Sequence, residues 1–166
     1  MDHPADIVVY FDGACEPINP GGVATAGWFI LDSKGADIAE GHRVIKSGAG
    51  ATNNVAEWCA LGLALRWLLD NHKDHCHGKT LLIHGDSQLV CKQLTREWQC
   101  RAAHLQTLRE RCWEILKQLE FESWQAQWIP REENQRADDL SKTAYIQHTG
   151  KRPPPAGFHA RRPRSQ

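Results

Sequence analysis

Apolar and polar positions change period several times along the chain, and the changes mark its elements. Ile7 to Phe11 is a continuous apolar run that stops at Asp12-Gly13, as a buried strand does on reaching a turn. Pro17, Pro20, Gly21 and Gly22 make a loop. Trp28 to Leu31 forms the core of a second strand, Ser33-Lys34-Gly35 is a turn, and Ala36 to Ile45 is a third strand, which together predict an antiparallel meander. After the small-residue loop Gly48 to Thr52 the period becomes helical. Ala56, Cys59, Ala60, Leu63, Ala64, Trp67 and Leu68 recur at three and four residues, predicting a helix capped by Thr52 or Asn53 and ending near Asn71. Thr80 to His84 reads as a strand that again stops at Gly-Asp. Ser87 to Thr95 and Ala102 to Leu119 read as helices, Phe121 to Ile129 as a last strand, and Asn134 to Gln147 as a last helix, with Pro153-Pro154-Pro155 ending regular structure.

The order is β-β-β-α-β-α-α-β-α, and alternation of strands with helices in the second half implies parallel pairing there. The fold class is α/β. No internal repeat or linker divides residues 1–147, and residues 148–166 form a Pro- and Arg-rich tail.

Composition alters this picture little. The chain has 166 residues, ample for a core, and Lys+Arg and Asp+Glu both total 20, so net charge does not point to a nucleic-acid partner. The tail carries Lys151, Arg152, Arg161, Arg162 and Arg164 without an acid, which suits either phosphate contact or a solvated end. Met1 to Asp6 is short and polar, unlike a signal or transit peptide, and no apolar run nears the roughly 20 residues of a membrane span. We expect a cytoplasmic monomer. The six cysteines lack paired spacing and are expected to be reduced thiols. His72, His75, Cys76 and His77 cluster without zinc-finger spacing, so a polar loop is expected there.

The chemistry lies in the acids. Asp12 and Asp86 each close an apolar strand, while Glu57 and Asp138 each lie about one turn into a helix. Ligand sites of open α/β sheets gather at the carboxyl ends of strands, so these four can converge on one cleft. Crowded carboxylates repel. Hard divalent cations relieve that repulsion and support metal-assisted phosphoryl chemistry. Taken singly, each acid also suits a turn or a helix dipole, and spacing does not separate these roles.

Four local sequences resolve the choice. Tyr10 to Gly22 (YFDGACEPINPGG), Thr52 to Glu57 (TNNVAE), Gly85 to Gln88 (GDSQ) and Asn134 to Ser141 (NQRADDLS) resemble, in order, the four motifs of type 1 ribonucleases H. The resemblance covers about Ile7 to Ile146. It implies a ribonuclease H-like fold with a five-stranded mixed sheet, order 3-2-1-4-5, three strands antiparallel and two parallel. It implies hydrolysis of the RNA strand of RNA–DNA hybrids, leaving 5′-phosphate and 3′-hydroxyl ends, with two Mg²⁺ or Mn²⁺ ions. By motif position Asp12, Glu57, Asp86 and Asp138 would be the catalytic metal ligands, and the Ala-Asp-Asp-Leu register favours Asp138 over Asp139. Asn19, Asn53, Asn54 and Gln88 match polar positions that meet the minor groove and its 2′-hydroxyls, and Thr52 is placed for phosphate.

Three features depart from the family pattern. Ile18 looks inserted, which sets Asn19 one residue late. Glu120 to Asn134 holds no His, where many bacterial members carry a loop His; Arg131 is the expected phosphate-holding replacement and Glu132 a weaker one. The segment Leu94 to Ala103 is too short for a basic protrusion, a role that Lys92, Arg96, Arg101 and the tail would share. No separate hybrid-binding domain is expected ahead of the first strand. Two other functions fit the same fold: a silent nucleic-acid or protein-binding domain, and a superfamily enzyme with a different substrate. The complete acid set argues against the first, and the Asn-Asn and Asp-Ser-Gln motifs argue against the second.

Overall fold

In the computed structural model, which describes residues 4–155, the first apolar run becomes the central strand of a five-stranded sheet of order β3-β2-β1-β4-β5. The strands are β1 (Ile7–Glu16), β2 (Val23–Asp32), β3 (Asp37–Ser47), β4 (Thr80–Gly85) and β5 (Ser123–Trp128). β1, β2 and β3 pair antiparallel, whereas β1–β4 and β4–β5 pair parallel. The helices are α1 (Asn53–Asn71), α2 (Gln88–Leu94), α3 (Ala103–Leu119) and α4 (Gln135–Thr149). Thr52 caps α1, its hydroxyl accepting from the Val55 N–H at 3.1 Å.

One expected boundary moves in a way that affects the site. β1 does not stop at Phe11 but continues through Asp12 and Gly13 to Glu16, because β2 pairs with it along that whole length. Asp12 is thus a mid-strand residue opposite Gly27, not a turn residue. The parallel partner β4 does end here, with Phe11 opposite Gly85. Asp12 and Asp86 are therefore both the first residues past the β1–β4 ladder.

Alternation along β1 splits the sheet into two faces. Ile7, Val9 and Phe11 join Trp58, Leu61, Leu65 and Leu68 of α1 in the main core. α3 extends that core with Leu105, Cys112, Leu116 and Leu119. α4 packs on the other face, where the buried hydroxyls of Thr25 and Ser141 meet at 2.7 Å. Two glycines let the helices come this close. A Cβ on Gly13 would stand 2.3 Å from the Glu57 nitrogen, and one on Gly27 would stand 2.2 Å from the Ala137 oxygen.

All six cysteines are free, five of them buried. The His72–His77 segment forms a short 3-10 turn, with the Cys76 thiol on the His72 carbonyl and His77 Nδ1 2.8 Å from Glu120. No helix among the described residues is long and apolar enough to cross a membrane. Arg161, Arg162 and Arg164 of the basic tail lie outside the described residues.

Candidate metal centre and cleft

Each acid is brought to the site by a different element. Asp12 comes from β1, Glu57 from the second turn of α1, Asp86 from the residue after β4, and Asp138 from the first turn of α4. The carboxylate oxygens of Asp12, Glu57 and Asp86 lie within 4.8 Å of one another. Among the described residues this is the only group of three or more His, Cys, Asp or Glu side chains close enough to hold a metal ion. Asp138 is buried beside them, but Lys142, one turn further along α4, holds its Oδ2 at 2.9 Å. Asp139 is exposed, as expected for its place on the helix.

Electrostatics follow from this crowding. Burial pushes the Asp12 carboxyl well above the usual range, and Glu57, Asp86 and Asp138 push it further. Burial also raises Glu57, with Asp86 adding to the effect, while hydrogen bonds from Asp12 and the Gly13 N–H and the Arg131 charge oppose it. Burial raises Asp86 too, against the pull of Asp12, Arg131 and Asn134. Glu57 Oε2 is buried without a hydrogen-bond partner. A buried acceptor left unmatched among like charges suits a hard divalent cation, which prefers oxygen donors.

The acids open into a cleft of about 390 Å³. Asn53, Asn54 and Arg131 line it, whereas Asn19, Thr52 and Gln88 are not in its lining. Thr52 is engaged in the α1 cap. Asn19 Oδ1 accepts from the Asn53 N–H at 3.0 Å, and Asn53 Oδ1 accepts from the Cys15 N–H at 2.8 Å. These bonds tie the proline-containing loop and β1 to the start of α1. Gln88 begins α2 and is exposed. Glu132 is exposed and is not in the cleft lining.

Sequence reasoning overlooked several supporting residues. Asn134 is buried, and its Nδ2 donates to the Phe11 carbonyl at 2.9 Å, tying the start of α4 to the strand residue beside Asp12. Trp128 lines the cleft, and its indole N–H donates to the Asp86 carbonyl at 3.1 Å. Lys142 and the cleft-lining Glu16 were also passed over. The i,i+4 spacing of Asp138 and Lys142 was a readable signal. The Asn134 and Trp128 bonds span 123 and 42 residues and leave no trace in local periodicity.

A 3-2-1-4-5 mixed sheet with carboxylates gathered where its parallel strands end defines a ribonuclease H-like domain. The chain belongs to the reverse transcriptase-like family, whose model matches residues 10–144, and its relatives include type 1 ribonucleases H. It is 38% identical over 143 residues to ribonuclease HI of Halobacterium salinarum, covering 86% of this chain and 66% of that protein. It spans 58% of YpeP from Bacillus subtilis, which is 31% identical over 84% of this chain. The chain thus spans about two thirds or less of these relatives' length. The crystal structure of RNase H1 from the halophilic archaeon Halobacterium salinarum superposes with a TM-score of 0.73 at 36% identity, covering 85% of this chain and 98% of that one. LC11-RNase H1 in complex with RNA/DNA hybrid gives 0.76 at 29% identity, covering 86% and 98%.

Proposed function

We propose that this chain is a metal-dependent endonuclease that hydrolyses the RNA strand of RNA–DNA hybrids, leaving 5′-phosphate and 3′-hydroxyl ends. The observation that carries the reading is the convergence of Asp12, Glu57 and Asp86 within 4.8 Å, with Asp138 beside them, in one open cleft. The family likeness, including a relative solved with an RNA/DNA hybrid, supports it.

These four carboxylates would hold two Mg²⁺ or Mn²⁺ ions, which when bound activate water and stabilise the leaving oxygen of a phosphodiester. The chain's own residues supply placement. Asn53 and Asn54, on the cleft wall, offer amide N–H groups to 2′-hydroxyls; Asn19, Thr52 and Gln88 serve by shaping the loop and helix starts or by meeting substrate beyond the cleft. Arg131 keeps a permanent positive charge at the rim, where it holds a phosphate but does not act as a base. Phosphate and sugar contacts carry no base code, so hybrid sequence matters little.

The test is incubation of the full chain with labelled RNA–DNA hybrid, duplex RNA and duplex DNA, each with Mg²⁺, Mn²⁺ or chelator. Cation-dependent cutting of hybrid RNA to 5′-phosphate products is expected. No cutting of hybrid with either ion would overturn the reading, and preference for duplex RNA would reassign the substrate.

A further inference from the structure

A larger concavity lies away from the acids. It is a groove of about 620 Å³ between α1 and α3, bordered by β3 residues Arg43 to Ile45. Its walls are apolar and half-buried, formed by Ile45, Cys59, Leu63, Leu108 and Ile115. Its volume is in the range of small-molecule sites.

Three features indicate a built site. The first is Gly62, in the interior of α1 and in the lining. Glycine is disfavoured at such a position, and it is normally explained by a close approach. Here a Cβ would meet nothing nearer than the Cys112 sulfur at 3.8 Å, an ordinary contact. Packing does not require glycine; its effect is to leave the groove open. The second is Trp58, a lining residue that is almost fully buried and whose indole N–H has no acceptor. The third is charge. Arg43, Arg66 and Arg111 stand at the rim against one carboxylate, Glu114. Arg66 is paired with Asp70 at 3.1 Å. Arg43 and Arg111 have no ion-pair partner among the described residues.

We propose that this groove binds an anionic amphiphile, a single carboxylate on an unbranched apolar chain, with its head on the rim arginines and its chain along Cys59, Leu63 and Ile115. A guanidinium fork matches a planar carboxylate, and an apolar trough favours a chain over a polar anion. A nucleic acid fits less well, since the only lining aromatic, Trp58, is buried and offers no stacking platform. Its volume of about 620 Å³ also suits a small molecule better than the broad patch that a protein partner covers.

The test is calorimetric titration of the full chain with dodecanoate below its micellar concentration. Saturable one-to-one binding is expected. It should weaken at least tenfold in the Arg43→Gln/Arg111→Gln double variant, and similarly in Gly62→Met, which fills the trough. Dodecanol, with no charge, should bind at least tenfold more weakly than dodecanoate. Circular dichroism melts check that each variant folds, and the arginine pair keeps the test decisive if Gly62→Met does not. Hybrid cleavage should be unchanged in all variants, which separates failure here from failure of the nuclease reading. Absence of saturable heat, or equal affinity in the parent and the arginine variant, would overturn the proposal. So would sedimentation showing a dimer that Gly62→Met dissociates, since a second copy would then be the occupant.

Discussion

Burial disfavours the ionised forms of Asp12 and Glu57, and the neighbouring charges add to that cost where the carboxylate oxygens of Asp12, Glu57 and Asp86 lie within 4.8 Å of one another. A carboxyl whose pKa is higher folded than unfolded binds its proton more tightly in the folded state. Its contribution to stability is present below the unfolded pKa and is lost as pH rises through the folded one. In chelator, the melting temperature should therefore fall as pH rises from the acid range to neutrality. Asp12→Asn should flatten that fall and melt higher than the parent at pH 7, by about 2–4 °C for each kcal/mol of repulsion removed in a chain of this size. Calorimetric scans across pH check this, and an unchanged profile would show that Asp12 is not strained. The same variant should lose more than roughly 100-fold in hybrid cleavage, beyond the loss typical of outer-shell partners. Lys142 offers a second residue-scale test. Its ion pair with Asp138 competes with any cation at that carboxylate, so Lys142→Met should tighten Mg²⁺ binding a few-fold in a titration, in keeping with about 1 kcal/mol or less for a pair partly open to water.

Glycines on the strands decide where the helices bring their acids. Gly27 lies opposite Asp12 in the β1–β2 ladder, and α4 rests on it through the Ala137 oxygen and the Ser141 nitrogen. Gly27→Ala should lift α4, costing roughly 1–3 kcal/mol by overpacking. It should also weaken Mg²⁺ binding, because Asp138 moves with the helix. Denaturant melts and titration read the two effects, and a stability loss with unchanged metal affinity would show that Asp138 is not a ligand. At this scale much was legible beforehand. The 3.6-residue period located α1 to its ends, and the strands that lead to Asp12 and Asp86 begin where expected, at Ile7 and Thr80. The extent of β1 was not legible, because Asp-Gly looks like a turn until β2 is seen pairing beyond it. β2 was likewise longer than its apolar core, since Val23 to Gly27 is recruited by its neighbours rather than by its own pattern.

For the molecule as a whole, a divalent cation bound at the acids should link metal occupancy to folding. At a concentration 100 times Kd, binding adds about 2.7 kcal/mol of stability. Mg²⁺ should therefore raise the melting temperature of the parent by several degrees at pH 7 and do little for Asp12→Asn; equal shifts would place the ion elsewhere. The acids, their motif settings and the order of elements were readable from the chain alone, since each is local: a residue, its neighbours and a period. What needed three dimensions was everything that joins distant segments. The Asn134 bond to Phe11, the Trp128 bond to Asp86, the seats at Gly13 and Gly27 and the arginine-rimmed groove arise where separate elements meet. Side-chain pattern encodes which face of an element is buried; close packing between elements sets which residues then touch.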